Sequence, residues 1–197
     1  MKMIRNALAA LAAVACMVTA GSAATLGDDG LHKTAWMRET FKDLRDDLAE
    51  ATDEGKRLMV IIEQRGCIYC AKMHEELLSD PEVRDFIKVH FMVVQYNMFG
   101  DEEVTDLDGE VLTEKTAARK WGFVFTPTIA FLPEAAPEGK TVSEAAVAVM
   151  PGAFGKWTFL NMFRWVSEKG YEGEEHFQKY HARIIQDLRA QGRLDAE

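Results

Sequence analysis

Cysteine is nearly absent from this chain: there are three in 197 residues, and Cys16 falls inside a charge-free N-terminal run. The other two, Cys67 and Cys70, have no second C-x-x-C and no H-x₃₋₅-H pair near them in sequence. A four-coordinate zinc site would therefore lack half of its donors. Positive charge is also short. Lysine and arginine number 23 against 32 acidic residues, a formal net charge of −9. That balance argues against phosphate backbones and anionic lipid, so no nucleic-acid partner is expected. A convincing membrane span is missing too, because the charge-free "ALAALAAVACMVTA" (7–20) is too short and too rich in alanine. No internal repeat, low-complexity segment or second domain boundary is visible.

What stands at the N-terminus is a targeting pattern. Lys2 and Arg5 precede the apolar run, and small residues follow at "GSAA" (21–24). A basic start, a short apolar centre and an A-x-A-like end read as a secretory signal peptide, residues 1–23, cleaved near Ala23 or Ala24. "AVAC" before Cys16 is a weak match to a lipoprotein signal, and the expectation is a soluble exported protein without a lipid anchor. The remainder, 24–197, has the length of one ordinary domain with some extension. It is more acidic than the whole, since Lys2 and Arg5 leave with the signal. Export bears on chemistry: in an oxidising compartment a C-x-x-C is a disulfide, lasting or reversible. A purely structural staple is a poor reading, because so small a loop removes little entropy from the unfolded chain.

Along the chain, "AWMRETFKDLRDDLAEATDEGK" (35–56) carries Trp36, Met37, Phe41, Leu44 and Leu48 at spacings that predict an amphipathic helix ending at Gly55. "RLMVIIE" (57–63) reads as a buried strand. Helical spacing returns over 68–79, and Asp80-Pro81 opens another short helix. "FMVVQYNM" (91–98) is a second buried strand. The polar segment 99–114, with Asp108-Gly109 as a turn, reads as an inserted hairpin. "TEKTAARKWG" suits a helix stopping at Gly122. "FVFTPTIAFLP" (123–133) and "TVSEAAVAVM" (141–150) read as antiparallel strands, followed by helices near 156–169 and 173–190. Buried strands joined through helices imply a parallel pair, and the later strands add antiparallel neighbours. The expected fold class is α/β, a mixed central sheet flanked by helices.

Cys67 falls where strand 57–63 hands over to helix 68–79. Free backbone N–H groups and the positive end of the helix dipole favour an anion there, so Cys67 is the candidate attacking thiolate. Cys70, one turn on and deeper, can resolve a mixed disulfide by attacking Cys67. Copper(I) held by Cys67, Cys70 and Met73 or His74 is the competing reading, since soft ligands select it. Against it, Met73 is expected in the core and His74 on a wet face beside Glu75 and Glu76. Glu63 has two readings, a proton acceptor for Cys70 or a strand-end carboxylate in solvent. Arg65 and Lys72 flank the pair, where charges usually just solvate a surface. Pro127 after Thr126 marks a strand start, a bulge or a cis peptide.

"GCIYC" at the strand-to-helix junction, "TPT" some sixty residues on, and "PGAFGKWTFLNMF" together resemble the thioredoxin superfamily over about 35–169. Within it, "KRLMVIIEQRGCIYCAKMHEELLSDPEV", the insertion with "DLDG", and "KGYEGEEHFQKY" are similar to periplasmic thioredoxins of the SoxW type. Gly170, Tyr171, Phe177 and Tyr180 extend the likeness into the C-terminal helix. The resemblance implies a thioredoxin fold with an added N-terminal helix, the 99–114 insertion and a C-terminal helical extension. It also implies that Pro127 is a cis-proline facing the redox pair. Thr126, Pro127, Ile68 and Tyr69 would then dock substrate backbone. The middle dipeptide Ile68-Tyr69 replaces the Gly-Pro of typical thioredoxins, and Tyr69 is the residue of periplasmic disulfide isomerases. Ile61 stands where typical thioredoxins bury an acid. The implied activity is a periplasmic thiol–disulfide oxidoreductase without metal or small-molecule cofactor, reducing client proteins, among them those of sulfur oxidation. A membrane thiol reductase would recharge it. Potentials on this scaffold run from roughly −270 to −120 mV, so oxidase and isomerase directions stay open.

Overall fold

The computed structural model describes residues 24–194; the signal-peptide and Cys16 readings lie outside them. The sheet is built outward from β3 (Arg57–Glu63), every residue of which is buried. It pairs in parallel with β4 (Phe91–Asn97) from Arg57↔Phe91 to Glu63↔Asn97. On its other side β3 runs antiparallel to β7 (Thr128–Phe131), which pairs with β8 (Ala148–Pro151). The strand order is β4-β3-β7-β8. A strand buried on both faces needs an apolar run rather than strict alternation, and that is what "LMVII" supplies.

Alternation along β3 divides the interior into two cores. Met59 and Ile61 pack with Met73, Leu77, Ile129, Phe131 and Phe163. Leu58, Val60 and Ile62 pack with Leu44, Leu48, Tyr96 and Trp121. The first core is covered by α2 (Ile68–Lys72), a π-helical run Met73–Leu78, α3 (Pro81–His90) and α6 (Lys156–Ser167), with α7 (Phe177–Ala190) behind α6. The second is covered by α1 (Leu44–Asp53) and α4 (Glu114–Lys120).

Several boundaries differ from the sequence reading for identifiable reasons. The helix expected over 35–56 begins only at Leu44, because Lys42 is left-handed (φ 56°) and Asp43 accepts the Arg45 and Asp46 N–H groups as N-cap. Trp36 and Met37 pack on the first core and Leu44 and Leu48 on the second, while Phe41 is fully exposed. The helical spacing thus spanned two faces of the sheet. The strand expected over 123–133 pairs only from Thr128, leaving Val124 and Phe125 exposed. In 141–150, Thr141 and Glu144 form a capping box that opens the short α5 (Val142–Ala145) before β8. The C-terminal helix starts at Phe177 rather than near 173, because Gly173 and the capping His176 are extended. A short N-terminal hairpin, β1 (Thr25–Leu26) with β2 (His32–Lys33), had no counterpart in the sequence reading. The 99–114 insertion is a hairpin, β5 (Glu103–Thr105) with β6 (Val111–Thr113), turning through Gly109 at φ 88°.

Candidate active site

Cys67 and Cys70 are joined as a disulfide with Cα atoms 5.2 Å apart. Cys67 is the N-cap of α2, and its Sγ accepts the Cys70 N–H at 3.0 Å. A sulfur in that position sits among the free N–H groups of the first turn, which stabilise negative charge when the bond opens. Cys67 is half-buried and Cys70 is 1% exposed. The outer sulfur can therefore be reached by a large partner and the inner one cannot. The helix behind them passes into the π-helical run at Met73, a departure frequent at functional sites.

Facing the disulfide, the Thr126–Pro127 peptide is cis. The Thr126 carbonyl oxygen lies 3.5 Å from Cys67 Sγ, and the Thr126 hydroxyl donates toward that sulfur at 3.4 Å. Pro127 is buried, and its carbonyl accepts the Gly152 N–H at 2.7 Å, fastening the loop to the start of α6's approach. Ile68 and Tyr69, between the two cysteines, and Phe125, next to Thr126, are exposed apolar side chains. On one side a hollow of about 670 Å³ is lined by Leu26, His32, Arg65, Cys67 and Ile68. On the other, about 380 Å³ opens between Tyr69, Met73, Phe154 and Phe159.

Glu63 and His74 correct the bland readings of both residues. Neither the carboxylate at the strand end nor the imidazole reaches solvent: Glu63 is 0% and His74 2% exposed. Odd-numbered positions of β3 face the first core, which takes Glu63 inward. The helical run then delivers His74 to it, with Nε2 2.8 Å from Glu63 Oε1. The second oxygen of Glu63 and Nδ1 of His74 have no hydrogen-bond partner. Met73 is in the core, as expected. Arg65 points away from the sulfurs, donating to the Asp28 and Asp29 carbonyls at 3.2 and 3.4 Å, while Lys72 pairs loosely with Glu76 in solvent. Among the described residues no group of three or more His, Cys, Asp or Glu is arranged to hold a metal ion.

Sequence reasoning missed two contributors. His32, whose ring centroid is 5.5 Å from that of His74, comes from a two-residue strand with no periodic signal. Phe125 was read as part of the strand 123–133; it lies outside β7 and is exposed, next to Thr126-Pro127. Arranged this way, the site can exchange a disulfide through the accessible sulfur of Cys67.

The model of a thioredoxin-like domain family matches residues 44–158. A thioredoxin-fold protein from Helicobacter pylori is similar in structure, with a TM-score of 0.54 at 16% identity over 79% of this chain and 98% of that one. A thioredoxin from Thermus thermophilus aligns with a TM-score of 0.49 at 26% identity, over 65% of this chain and 86% of its own. No curated protein matches the chain.

Proposed function

From its place in the thioredoxin-like domain family, to which the chain belongs, we infer that this thiol–disulfide oxidoreductase works as a reductase of protein disulfides. Reduced Cys67 attacks a client disulfide and Cys70 resolves the mixed disulfide. Glu63 takes the proton that Cys70 must lose. The client's backbone docks at Thr126 and Pro127, between Ile68 and Tyr69. The observation that carries the reading is the asymmetry of the two sulfurs. Cys67 is half-buried, capped by an N–H at 3.0 Å and faced by Thr126, while Cys70 is 1% exposed. Only the outer sulfur can meet a protein-sized disulfide, and only the inner one can wait unreacted for the second step.

The site of action we propose is the periplasm, reached through the 1–23 signal. The protein would be recharged there by a membrane thiol reductase and would serve clients that include sulfur-oxidation proteins. Two features support an exported protein: the basic–apolar–small N-terminus, and a redox pair that is the only cysteine in 24–197. No described helix is long and apolar enough to cross a membrane. The test is insulin-disulfide reduction driven by a chemical reductant. Cys67→Ser should lose the activity outright, and retention of wild-type turnover would sink the reading. Isomerase action is separated by scrambled-ribonuclease refolding, which a reductase drives poorly. Copper(I) titration of the reduced chain addresses the competing chaperone reading, which requires a tight stoichiometric complex.

A further inference from the structure

Among the described residues, Glu63 and His74 are the one buried ionisable pair beside the redox centre, and each keeps an open polar atom. Such groups normally find partners when they are buried. Glu63 Oε1 is taken by His74 Nε2 at 2.8 Å, which leaves Oε2 as the free oxygen. Cys70 and His74 are four residues apart on one helical run, the spacing that places two side chains on the same face. Glu63 reaches that face from the end of β3.

The N-terminal hairpin lies against His74. The His32 ring lies against that of His74 at 5.5 Å. The hairpin carrying it is tied down by Gln95 Nε2, which donates to the His32 carbonyl at 2.8 Å, and by Arg65, which donates to the Asp28 and Asp29 carbonyls. Ionisable neighbours are few. β2 presents His32, with Lys33 paired to Asp29; α2 presents Cys70, with Tyr69 and Lys72 out in solvent; and Glu75 and Glu76 beside His74 are exposed. β4 has only Tyr96, which belongs to the opposite core, and β7 has none.

We propose that His74 is a positioning residue for thiol–disulfide exchange. Its Nε2–H holds the Glu63 carboxylate so that Oε2 faces the proton of Cys70, with the N-terminal hairpin keeping water out. The inference rests on Cys70 being the resolving thiol. In that step Cys70 gives its proton to Glu63, and its sulfur attacks Cys67 Sγ. The Cys67–Cys70 bond forms, and the bond from Cys67 to the client sulfur breaks. The client sulfur leaves with the electron pair as a thiolate. Both cysteines end oxidised and the client disulfide reduced.

The test uses the reduced full chain and the chromogenic disulfide of thionitrobenzoate, one equivalent, in stopped flow. The first thiolate released reports Cys67, and the second reports Cys70. Glu63→Gln and His74→Phe should each slow the second phase by tenfold or more near neutral pH, the lower end of general-base effects. Each should shift its pH profile toward that of an ordinary thiol while the first phase is kept. His74→Gln, which retains an N–H donor, should restore the second phase to within about threefold. A His74→Phe second phase matching wild type across pH, or a slow His74→Gln, overturns the proposal. Should His74→Phe not fold, the imidazole ¹⁵N resonances of His74 in the wild-type chain decide: they should differ between oxidised and reduced forms, and identical resonances overturn the proposal. The two phases need no protein client. Normal phases with failed insulin reduction would therefore count against the reductase reading and leave the pair standing.

Discussion

The inserted hairpin and the redox end of β3 both bury ionisable side chains, on opposite faces of one sheet, and they treat them differently. At the insertion, Lys42 lies between Glu102 and Glu114 and over the Tyr96 ring at 5.3 Å. Lys120 meets Asp106, Asp108 and Glu110 at 2.9, 2.6 and 2.8 Å. Each cation there faces carboxylates on several sides, and pairing raises the pKa of both lysines despite their burial. At the end of β3, Glu63 and His74 meet through one contact and leave one polar atom unpartnered on each side. Saturated partners fix a charge in place. An open acceptor can take a proton during turnover.

The largest effect expected from this contrast is at Glu114, which is 3% exposed and also accepts the Asn97 N–H at 2.9 Å. Glu114→Gln leaves the largely buried Lys42 with only the exposed Glu102 and weakens the tie to β4. A loss of about 3 kcal/mol in urea unfolding is expected, since removing one partner strands the other charge. Insulin reduction per folded molecule should stay at the wild-type rate. A fall in both would mean that the insertion and the redox end are coupled.

Asp47 gives a smaller effect with a pH signature. Burial pushes its carboxyl up to about 6, the Thr40 hydroxyl opposes this, and Glu50, Asp43 and Asp46 add to it. A raised folded pKa means that the native state holds the proton more tightly than the unfolded chain. This contribution is therefore most favourable below about 4 and is lost as pH rises through about 6. Asp47→Asn removes the penalty while keeping an acceptor for Thr40. It should gain about 1–2 kcal/mol at pH 7, discounted from the full shift for residual screening, and flatten the stability curve between about 4 and 6. Urea midpoints of the two proteins across that range check the slope.

How much of this was legible in the sequence follows from where the signal was local. β3, the Asp80-Pro81 start of α3 and the Asp108-Gly109 turn depend on short-range chemistry and could be read directly. So could the placement of Cys67 at a strand-to-helix junction. Residues 35–43 misled because an apolar spacing of three to four does not say which core each residue enters, and Trp36 and Leu44 enter different ones. Glu63 and His74 look solvated in sequence, next to Gln64-Arg65 and Glu75-Glu76. Their burial comes from the strand's alternation meeting the helix face, a tertiary fact. His32 lay further out of reach, since nothing local marks a two-residue strand that covers a site four decades of residues away.

The smallest expected effect sharpens the comparison most. If His74 carried a full positive charge against Glu63, Glu63→Gln would leave a cation stranded in the interior and cost about 3–5 kcal/mol, as at the insertion. If His74 is neutral and donates through Nε2, the glutamine carbonyl accepts the same hydrogen bond. The substitution then exchanges an unpartnered carboxylate oxygen for an unpartnered amide while removing a buried charge. Those two changes oppose each other, and the net should fall within about 1 kcal/mol. Nδ1 of His74 has no acceptor to donate to in the interior, so the second outcome is the one expected. Urea unfolding of oxidised Glu63→Gln beside Glu114→Gln measures both positions under one condition. Equal losses would mean that the redox end holds a fixed ion pair like the one at the insertion. A loss confined to Glu114→Gln would mean that the fold spends its saturated charges on holding the insertion and keeps its unsaturated pair beside Cys70.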